Sequence, residues 1–339
     1  DNVINGGAGS DSLSGGSGDD TLNGGANNDA LSGNAGDDVL NGDDGNDALY
    51  GGDGADTLQG GAGDDVMLGG KGDDIYYVDQ IGDVVIELNN EGADLVYSSI
   101  SDYVLGDYLE NLTLTGTASK GTGNNSNNVI VGNASANQLF GLGGDDSIDG
   151  GAGADSISGG DGNDTLRGGI GNDTLNGGSG SDTYAFNRGD GVDTIYDDGG
   201  QDLLSLGPDI TLSQLSFTIS SADLIIKVAN PAPSTITDQI ILKNWFTTQN
   251  RVETIQFSDG STLSQRDIVE HLPTSLANTF TWLDTPVNLL LDAGNDSVTS
   301  GSFNDTLGGG AGNDTLKGGL GDDLYIFNVG DGKDTLYDD

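Results

Sequence analysis

The chain has 339 residues, of which 60 are glycine and 55 are acidic, and its formal net charge is −45. A charge of this sign excludes ordinary nucleic-acid binding and opposes adsorption to anionic membranes, because both surfaces are themselves negative. Only five of the acids are glutamate, and the short aspartate side chain suits turns and local metal ligation, so the composition favours contact with cations.

A nine-residue sequence, Gly-Gly-x-Gly-x-Asp-x-Leu-x, recurs eight times in phase between Gly6 and Tyr77. Its first position is always glycine, its fourth is glycine except at Asn27, and its eighth is always apolar or aromatic. Such regularity argues against a disordered acidic linker. The sixth position is always aspartate, at Asp11, Asp20, Asp29, Asp38, Asp47, Asp56, Asp65 and Asp74.

Each repeat carries the groups that a calcium site needs. The glycines allow a tight turn whose carbonyl oxygens point inward, and the aspartate adds a carboxylate. Calcium takes six to eight oxygen ligands at ~2.3–2.6 Å and readily mixes carboxylates with carbonyls. One turn offers too few oxygens, so two turns must stack to complete a site. We therefore expect multiple Ca²⁺ ions, each shared between repeat n and repeat n+2.

The x-Leu-x remainder of each repeat predicts a very short strand with its leucine pointing inward. Two nonapeptides then form one coil, and successive coils stack at the usual strand spacing of ~4.8 Å. The predicted fold is all-β, a parallel β-roll or right-handed β-solenoid whose calcium-binding blocks are separated by β-rich inserts. The chain has no cysteine, so we expect calcium to stabilise the thin core of block 1, residues 1–77.

Residues 78–122 lack the calcium turns but keep strand-like segments, at Val84–Leu88, Asp94–Ser99 and Asn111–Leu114. We expect this β-rich insert to continue the solenoid with wider coils.

Block 2, residues 123–202, repeats the nonapeptide with degenerate ends. Asn128 and Asn137 stand in the sixth position of its first turns, so these turns are expected to stack without binding calcium. Asp193 and Asp202 keep a weak form of the motif after a two-residue phase slip. The full repeats place aspartate at Asp146, Asp155, Asp164, Asp173 and Asp182.

Residues 203–290 change in character, because their apolar residues alternate and no longer recur every nine positions. We expect strands at Leu215–Ile219, Leu224–Val228, Gln239–Leu242 and Glu253–Phe257, and a short helix from the N-cap Ser264 through His271. Trp245, Phe246 and Phe257 are the expected core. The sparse acids between Leu203 and Leu272 predict a structural spacer that binds no calcium.

Block 3, residues 291–339, places aspartate in the sixth position at Asp296, Asp305, Asp314 and Asp323, although the turns of Asp296 and Asp305 lack the leading glycines. Residues 172–198 also align with 313–339 at an offset of 141 residues. A long repeat is therefore nested over the short one, which favours a piece of a longer secreted protein.

The motifs of common enzyme classes are absent from the sequence. His271 is the only histidine, and there is no Gly-x-Ser-x-Gly elbow, Walker loop or His-Glu-x-x-His motif. No apolar run approaches the ~20 residues of a membrane helix. We therefore predict no enzyme and no membrane span within this chain.

The nonapeptides resemble the RTX, or haemolysin-type calcium-binding, repeat family over most of the chain, and Leu203–Phe246 looks like the related segment often interleaved with such repeats. The resemblance implies that the sixth-position aspartates and the turn carbonyls bind calcium. It also implies a secreted or cell-surface location outside the cell and a type I secretion apparatus as partner.

Three roles agree with these observations. The first is a module that folds on calcium binding outside the cell and supports secretion or presentation. The second is a calcium-stiffened spacer of a surface adhesin, which the nested 141-residue repeat favours. The third is the calcium-binding tail of a secreted enzyme or toxin whose catalytic domain lies outside this chain.

Overall fold

The computed structural model describes residues 1–220, 222–231, 237–245, 252–272, 279–281, 288–291 and 293–338. The chain forms two compact units, Asp1–Arg167 and Gly168–Asp339. Regular structure in the described residues is almost entirely β-strand, with one 3-10 turn at Leu212–Gln214 and one α-helix, α1, at Gln265–Glu270. None of the described helical segments has the length and hydropathy that crossing a bilayer requires.

The first unit contains twenty strands, and those of the nonapeptide block are six residues long. In chain order they are β1 Val3–Ala8, β2 Ser12–Ser17, β3 Thr21–Ala26, β4 Ala30–Ala35, β5 Val39–Asp44, β6 Ala48–Asp53, β7 Thr57–Ala62, β8 Val66–Lys71, β9 Ile75–Val78, β10 Val84–Ile86, β11 Leu95–Ser98, β12 Asp102–Val104, β13 Asn111–Leu114, β14 Lys120–Thr122, β15 Val129–Val131, β16 Gln138–Gly143, β17 Ser147–Asp149, β18 Ala152–Gly153, β19 Ser156–Asp161 and β20 Thr165–Arg167.

Alternate strands of the first unit lie in different parallel sheets, so two nonapeptides make one coil. One sheet runs β1-β3-β5-β7-β9-β11-β13-β15-β17-β20, and the others run β10-β8-β6-β4-β2 and β12-β14-β16-β19. In the first of these Leu22 pairs with Leu40, eighteen residues on. This arrangement confirms the all-β, parallel β-roll class expected from the repeat.

The strands of the repeat are longer than the x-Leu-x segment, so the prediction of a very short strand was wrong. In β3 and β5, pairing extends past the leucine and includes Gly25 with Asp43 and Ala26 with Asp44. Backbone pairing does not depend on side chains, so it continues into the first half of the turn. Strand and turn therefore overlap in sequence.

The core of block 1 is a single column of eighth-position side chains from each sheet. Leu22, Leu31, Leu40, Leu49 and Leu58 are all fully buried. Their neighbours at positions seven and nine point outward, as the period of two along a strand requires. Such a core is thin, and it buries little apolar surface for the length of chain that it orders.

Parallel pairing runs on through residues 78–122 without nonapeptides. Tyr76 pairs with Val96, Val96 with Leu112, and Leu112 with Ile130. Successive coils of this segment therefore contain 20, 16 and 18 residues. Longer and shorter coils alternate where no calcium turn fixes the coil length.

The second unit contains seventeen strands among its described residues. They are β21 Ile170–Gly171, β22 Thr174–Ser179, β23 Thr183–Phe186, β24 Val192–Tyr196, β25 Leu203–Leu206, β26 Leu215–Ser220, β27 Asp223–Val228, β28 Asp238–Leu242, β29 Thr254–Gln256, β30 Thr262–Ser264, β31 Thr279–Thr281, β32 Asn288–Leu290, β33 Ser297–Thr299, β34 Thr306–Gly308, β35 Thr315–Lys317, β36 Leu324–Tyr325 and β37 Thr335–Tyr337.

Its parallel sheets give way to antiparallel pairing in the segment that follows block 2. The strand orders are β23-β25-β29-β30, β22-β24-β28-β27-β26, β31-β33-β35-β37 and β32-β34-β36. Strand β27 is antiparallel to both β26 and β28, and β29 is antiparallel to β30. Trp245 is buried here and donates its indole N–H to the carbonyl of Val252 at 2.8 Å. Phe257 is also buried, whereas Phe246 lies outside the described residues.

Candidate calcium-binding sites

The sixth-position aspartates of block 1 form a ladder across the coils. The backbone N–H of Asp11 donates to Oδ1 of Asp29 at 2.7 Å, and that of Asp29 donates to Oδ1 of Asp47 at 2.7 Å. On the other side of the roll, Asp20 and Asp38 are linked in the same way. Each carboxylate is therefore held in place by the backbone of the coil before it, and repeat n is joined to repeat n+2.

The other blocks repeat this ladder. Asp146 donates its backbone N–H to Oδ1 of Asp164 at 2.8 Å in block 2. In block 3 the backbone of Asp296 bonds to Asp314, and that of Asp305 to Asp323, both at 2.8 Å. The two turns without leading glycines thus hold their aspartates as the intact turns do. The remaining predicted residues are also buried, namely Asp155, Asp173 and Asp182.

The other oxygen of these carboxylates points into the turn. Within the described part of the chain it is buried and receives no hydrogen bond, which is costly for a carboxylate unless a cation lies beside it. The donor set is therefore one that calcium would satisfy. Oδ2 is in this position in Asp11, Asp20, Asp29, Asp38, Asp47, Asp56, Asp65, Asp74, Asp146, Asp314 and Asp323.

The first-position glycine of each turn leaves space in which oxygen atoms converge. A Cβ built on Gly24 would lie 2.5 Å from Oδ2 of Asp29 and 2.8 Å from the carbonyl oxygen of Gly42. At Gly6 the corresponding oxygens, of Asp11 and Gly24, would lie 2.6 and 2.7 Å away. A carboxylate of repeat n and a carbonyl of repeat n+2 thus face one small space, which is the arrangement that a hard, oxygen-coordinated cation requires.

Burial makes these carboxylates difficult to ionise without a counterion. Loss of solvation raises the pKa of Asp56 and Asp65 to about 6, that of Asp146 to about 7 and that of Asp74 to about 8. A nearby cation has the opposite effect, because it stabilises the charged form. The turns are therefore arranged for a bound cation at neutral pH.

The turns with asparagine in the sixth position satisfy their oxygens internally. The Asn128 amide donates from Nδ2 to the carbonyls of Leu109 and Glu110 at 3.1 and 3.2 Å, while its Oδ1 accepts the N–H of Asn124. Asn137 likewise donates to the carbonyl of Ala118 at 2.9 Å. The amide N–H thus supplies the positive partner, and these turns close without an ion.

The sequence analysis did not count four aspartates that extend the ladder by one coil. Asp94, Asp193, Asp202 and Asp334 accept the backbone N–H of Asp74, Asp173, Asp182 and Asp314 at 2.8, 3.0, 2.7 and 2.9 Å. Each ends a Gly-x-Asp triplet twenty residues after an intact one. The two-residue phase slip at Asp193 and Asp202 was visible in the sequence, and searching at twenty as well as eighteen residues would have found all four.

Among the described residues, two groups of three buried acids come together at the ends of blocks 1 and 2. Asp74, Glu87 and Asp94 form one group, and Asp182, Asp197 and Asp202 form the other. In each group the candidate ligand oxygens lie within 4.8 Å of one another. Two carboxylates at this distance repel by about 3 kcal/mol at the effective dielectric constant of a protein. Burial raises the pKa of Asp94 to about 7 and that of Asp202 to about 8.

Comparison with known families agrees with this geometry. The family described as RTX calcium-binding nonapeptide repeat (4 copies) matches residues 1–31, 24–58, 50–80, 122–157, 149–184 and 292–325, which together exceed half of the chain. The family described as haemolysin-type calcium binding protein related domain matches residues 223–267. A comparison with curated proteins finds no match.

Among solved structures, the chain is similar to the extracellular lipase LipA from Serratia marcescens. The identity is 19%, the similarity covers 66% of this chain and 36% of the lipase, and the TM-score is 0.16. The chain thus spans little more than a third of the lipase's length, and a TM-score of 0.16 carries no argument about function.

Proposed function

Because the chain belongs to the RTX calcium-binding nonapeptide repeat family, whose repeats bind several calcium ions, we propose that it is a calcium-dependent folding module of a secreted bacterial protein. It stays unfolded where calcium is scarce, inside the producing cell, and folds when it reaches calcium outside. Proteins with these repeats are typically secreted. The role is structural and not catalytic.

The proposed ligands are the seventeen sixth-position aspartates together with the carbonyl oxygens of the glycine-rich turns. The observation that carries this assignment is the buried Oδ2 atom of residues such as Asp29 and Asp47, which receives no hydrogen bond within the described residues. Each ion takes oxygens from repeat n and repeat n+2, because Asp29 Oδ2 and the Gly42 carbonyl face the same space beside Gly24.

The energy of calcium binding is sufficient for a folding switch. Extracellular-type sites have dissociation constants of ~10⁻⁴–10⁻³ M, and at tenfold saturation each contributes about 1.4 kcal/mol. Half a dozen sites then supply roughly 8 kcal/mol, which is comparable with the whole stability of a domain. Without calcium this contribution is lost, the carboxylates repel one another, and the thin leucine core does not hold the coils together.

Such a switch suits export, because an unfolded chain passes through a secretion channel more easily than a folded one. By its family, the chain is a candidate for a type I secretion apparatus. Folding outside the cell then fixes the exported protein in its functional form.

The test is circular dichroism of the whole chain in excess chelator and in millimolar calcium. We expect β-structure to appear only with calcium, and equal concentrations of magnesium to serve poorly because magnesium prefers a rigid octahedral site. The same β signal in chelator and in calcium would exclude the switch.

A second role, a calcium-stiffened spacer of a surface adhesin, is favoured by the nested repeat. Tyr184 and Tyr325 are 141 residues apart, and each accepts a hydrogen bond at 2.9 Å from the N–H of Gly177 or Gly318 respectively. Each also donates to a carbonyl twelve residues later. Repetition of a whole module with its details suits a long extended protein. The two roles differ in whether the full-length protein carries tandem adhesive domains.

A further inference from the structure

The last intact turn of each block differs from the others in the coil that follows it. At Gly24 the space beside the glycine is faced by the carbonyl of Gly42 in the next coil. The position eighteen residues after Gly69 is Glu87, and the position twenty residues after Gly177 is Asp197. An acidic side chain therefore stands where the next coil of an intact array has its first-position glycine.

A tyrosine hydroxyl holds this acid in place. Tyr76 occupies the eighth position, where the earlier repeats have leucine or methionine, and its side chain is fully buried. Its hydroxyl accepts the N–H of Gly69 at 2.6 Å and donates to a carboxylate oxygen of Glu87. The Glu87 carboxylate is thereby fixed beside Asp74 and Asp94.

The three acids of the first group need a positive partner. Oδ2 of Asp74 is buried and receives no hydrogen bond within the described residues, although Asp74 itself is only 1% exposed. None of the ion pairs formed by described lysines and arginines includes Asp74, Glu87 or Asp94. An orphaned, buried carboxylate oxygen therefore points into a group of acids that has no basic side chain.

The second unit contains the same arrangement. Tyr184 accepts the N–H of Gly177 at 2.9 Å and donates to Oδ1 of Asp197 at 3.1 Å. Asp197 lies beside Asp182 and Asp202, and Oδ2 of Asp202 is again buried without a hydrogen bond in the described part of the chain. Glutamate and aspartate thus fill one role in two separate segments.

We propose that each block ends in a closing site, formed by Asp74, Glu87 and Asp94 in the first unit and by Asp182, Asp197 and Asp202 in the second, that binds one calcium ion. The closing site differs from a repeat site because two of its three carboxylates come from chain beyond the nonapeptides. Calcium bound there orders the following segment, so part of the non-repeat chain folds in response to calcium. This inference rests on the proposed function of the repeats.

The experiment counts calcium ions bound to the full chain by isothermal titration and follows amide hydrogen exchange in residues 84–98. Glu87→Gln is compared with Glu91→Gln, which makes the same change in the same segment outside the acid group. Asp197→Asn is compared with the exposed neighbour Asp198→Asn. We expect Glu87→Gln and Asp197→Asn each to lose one calcium equivalent, while both controls bind as the unaltered chain does.

Exchange in the unaltered chain provides a second readout that needs no variant to fold. We expect residues 84–98 to gain protection only as calcium is added. Protection of this segment in chelator, or equal calcium binding by Glu87→Gln and Glu91→Gln, would overturn the closing site. Loss of the proposed function looks different, because then the unaltered chain would bind no calcium at all.

Discussion

The backbone N–H of Asp20 donates to Oδ1 of Asp38 at 2.7 Å, although the two residues are eighteen positions apart. This bond leaves Oδ2 of Asp38 free to face its own turn beside Gly33. One carboxylate therefore fixes the spacing of two coils with one oxygen and offers the other to a cation.

Replacing Asp38 should weaken two adjacent calcium sites at once, because its carboxylate lies between the coils of Asp20 and Asp56. We expect Asp38→Asn to lose about two calcium equivalents in a calorimetric titration, since the amide keeps the oxygen but removes the charge. Asp37→Asn is the matched control, because Asp37 is exposed. Loss of a single equivalent would contradict shared ligation.

Filling the space beside a first-position glycine should displace the ion. The Cβ of Gly24→Ala would occupy the position where Asp29 Oδ2 and the Gly42 carbonyl converge, and such overpacking costs about 1–3 kcal/mol. Calcium affinity should fall accordingly in the titration. Gly143→Ala is the control, because a Cβ there meets nothing closer than 3.7 Å. Equal effects of the two changes would show that the space is not the binding site.

An asparagine turn should become calcium-dependent when it receives a carboxylate. Asn128→Asp removes the amide donor to the carbonyls of Leu109 and Glu110, which leaves buried acceptors unsatisfied at a cost of about 1–3 kcal/mol without calcium. Calcium should recover that loss, so the midpoint of thermal unfolding should respond more strongly to calcium than in the unaltered chain. The exposed Asn127→Asp should show no added response.

Removing the hydroxyl of Tyr76 should destabilise the end of block 1. Tyr76→Phe leaves the Gly69 N–H and the Glu87 carboxylate without their partner, which we expect to cost about 1–3 kcal/mol in calcium-saturated denaturant unfolding. Tyr77→Phe is the control, since that side chain is 40% exposed. A cost as small as that of the control would mean that the hydroxyl does not support the fold.

The segment after block 2 should keep its structure without calcium. Trp245 is only 1% exposed, and it is the only tryptophan in a piece spanning residues 203–272. We expect its fluorescence in that isolated piece to be that of a buried indole and to stay constant through a millimolar calcium titration. A shift of the emission on adding calcium would extend the metal response to this segment.

The sequence predicts the roll and the position of each repeat aspartate because both follow from one period. Leu22 and Leu40 are neighbours for the same reason that Asp20 and Asp38 are, since each pair is separated by two nonapeptides. Glycine and aspartate in fixed phase leave few alternatives to a stacked turn. The coarse fold of the nonapeptide blocks is therefore contained in the repeat.

The closing acids could not be predicted in this way, because nothing in the repeat specifies them. Glu87 lies outside any nonapeptide and reaches Asp74 only because Tyr76 accepts the Gly69 N–H and binds its carboxylate. Whether a coil contains sixteen, eighteen or twenty residues is decided by packing against its neighbours, as at Val96 and Leu112. Such long-range choices have no local signature.

Coils of constant length have a further consequence for how the chain finds its alignment. A shift of block 1 by one coil again places leucine on leucine and aspartate on aspartate, so the interior of the array does not distinguish correct from slipped pairing. The step from Tyr76 to Val96 covers twenty residues and not eighteen, which a slipped array cannot match. The irregular coil at the end of the block thus acts as a reference mark that gives an otherwise degenerate ladder a single alignment.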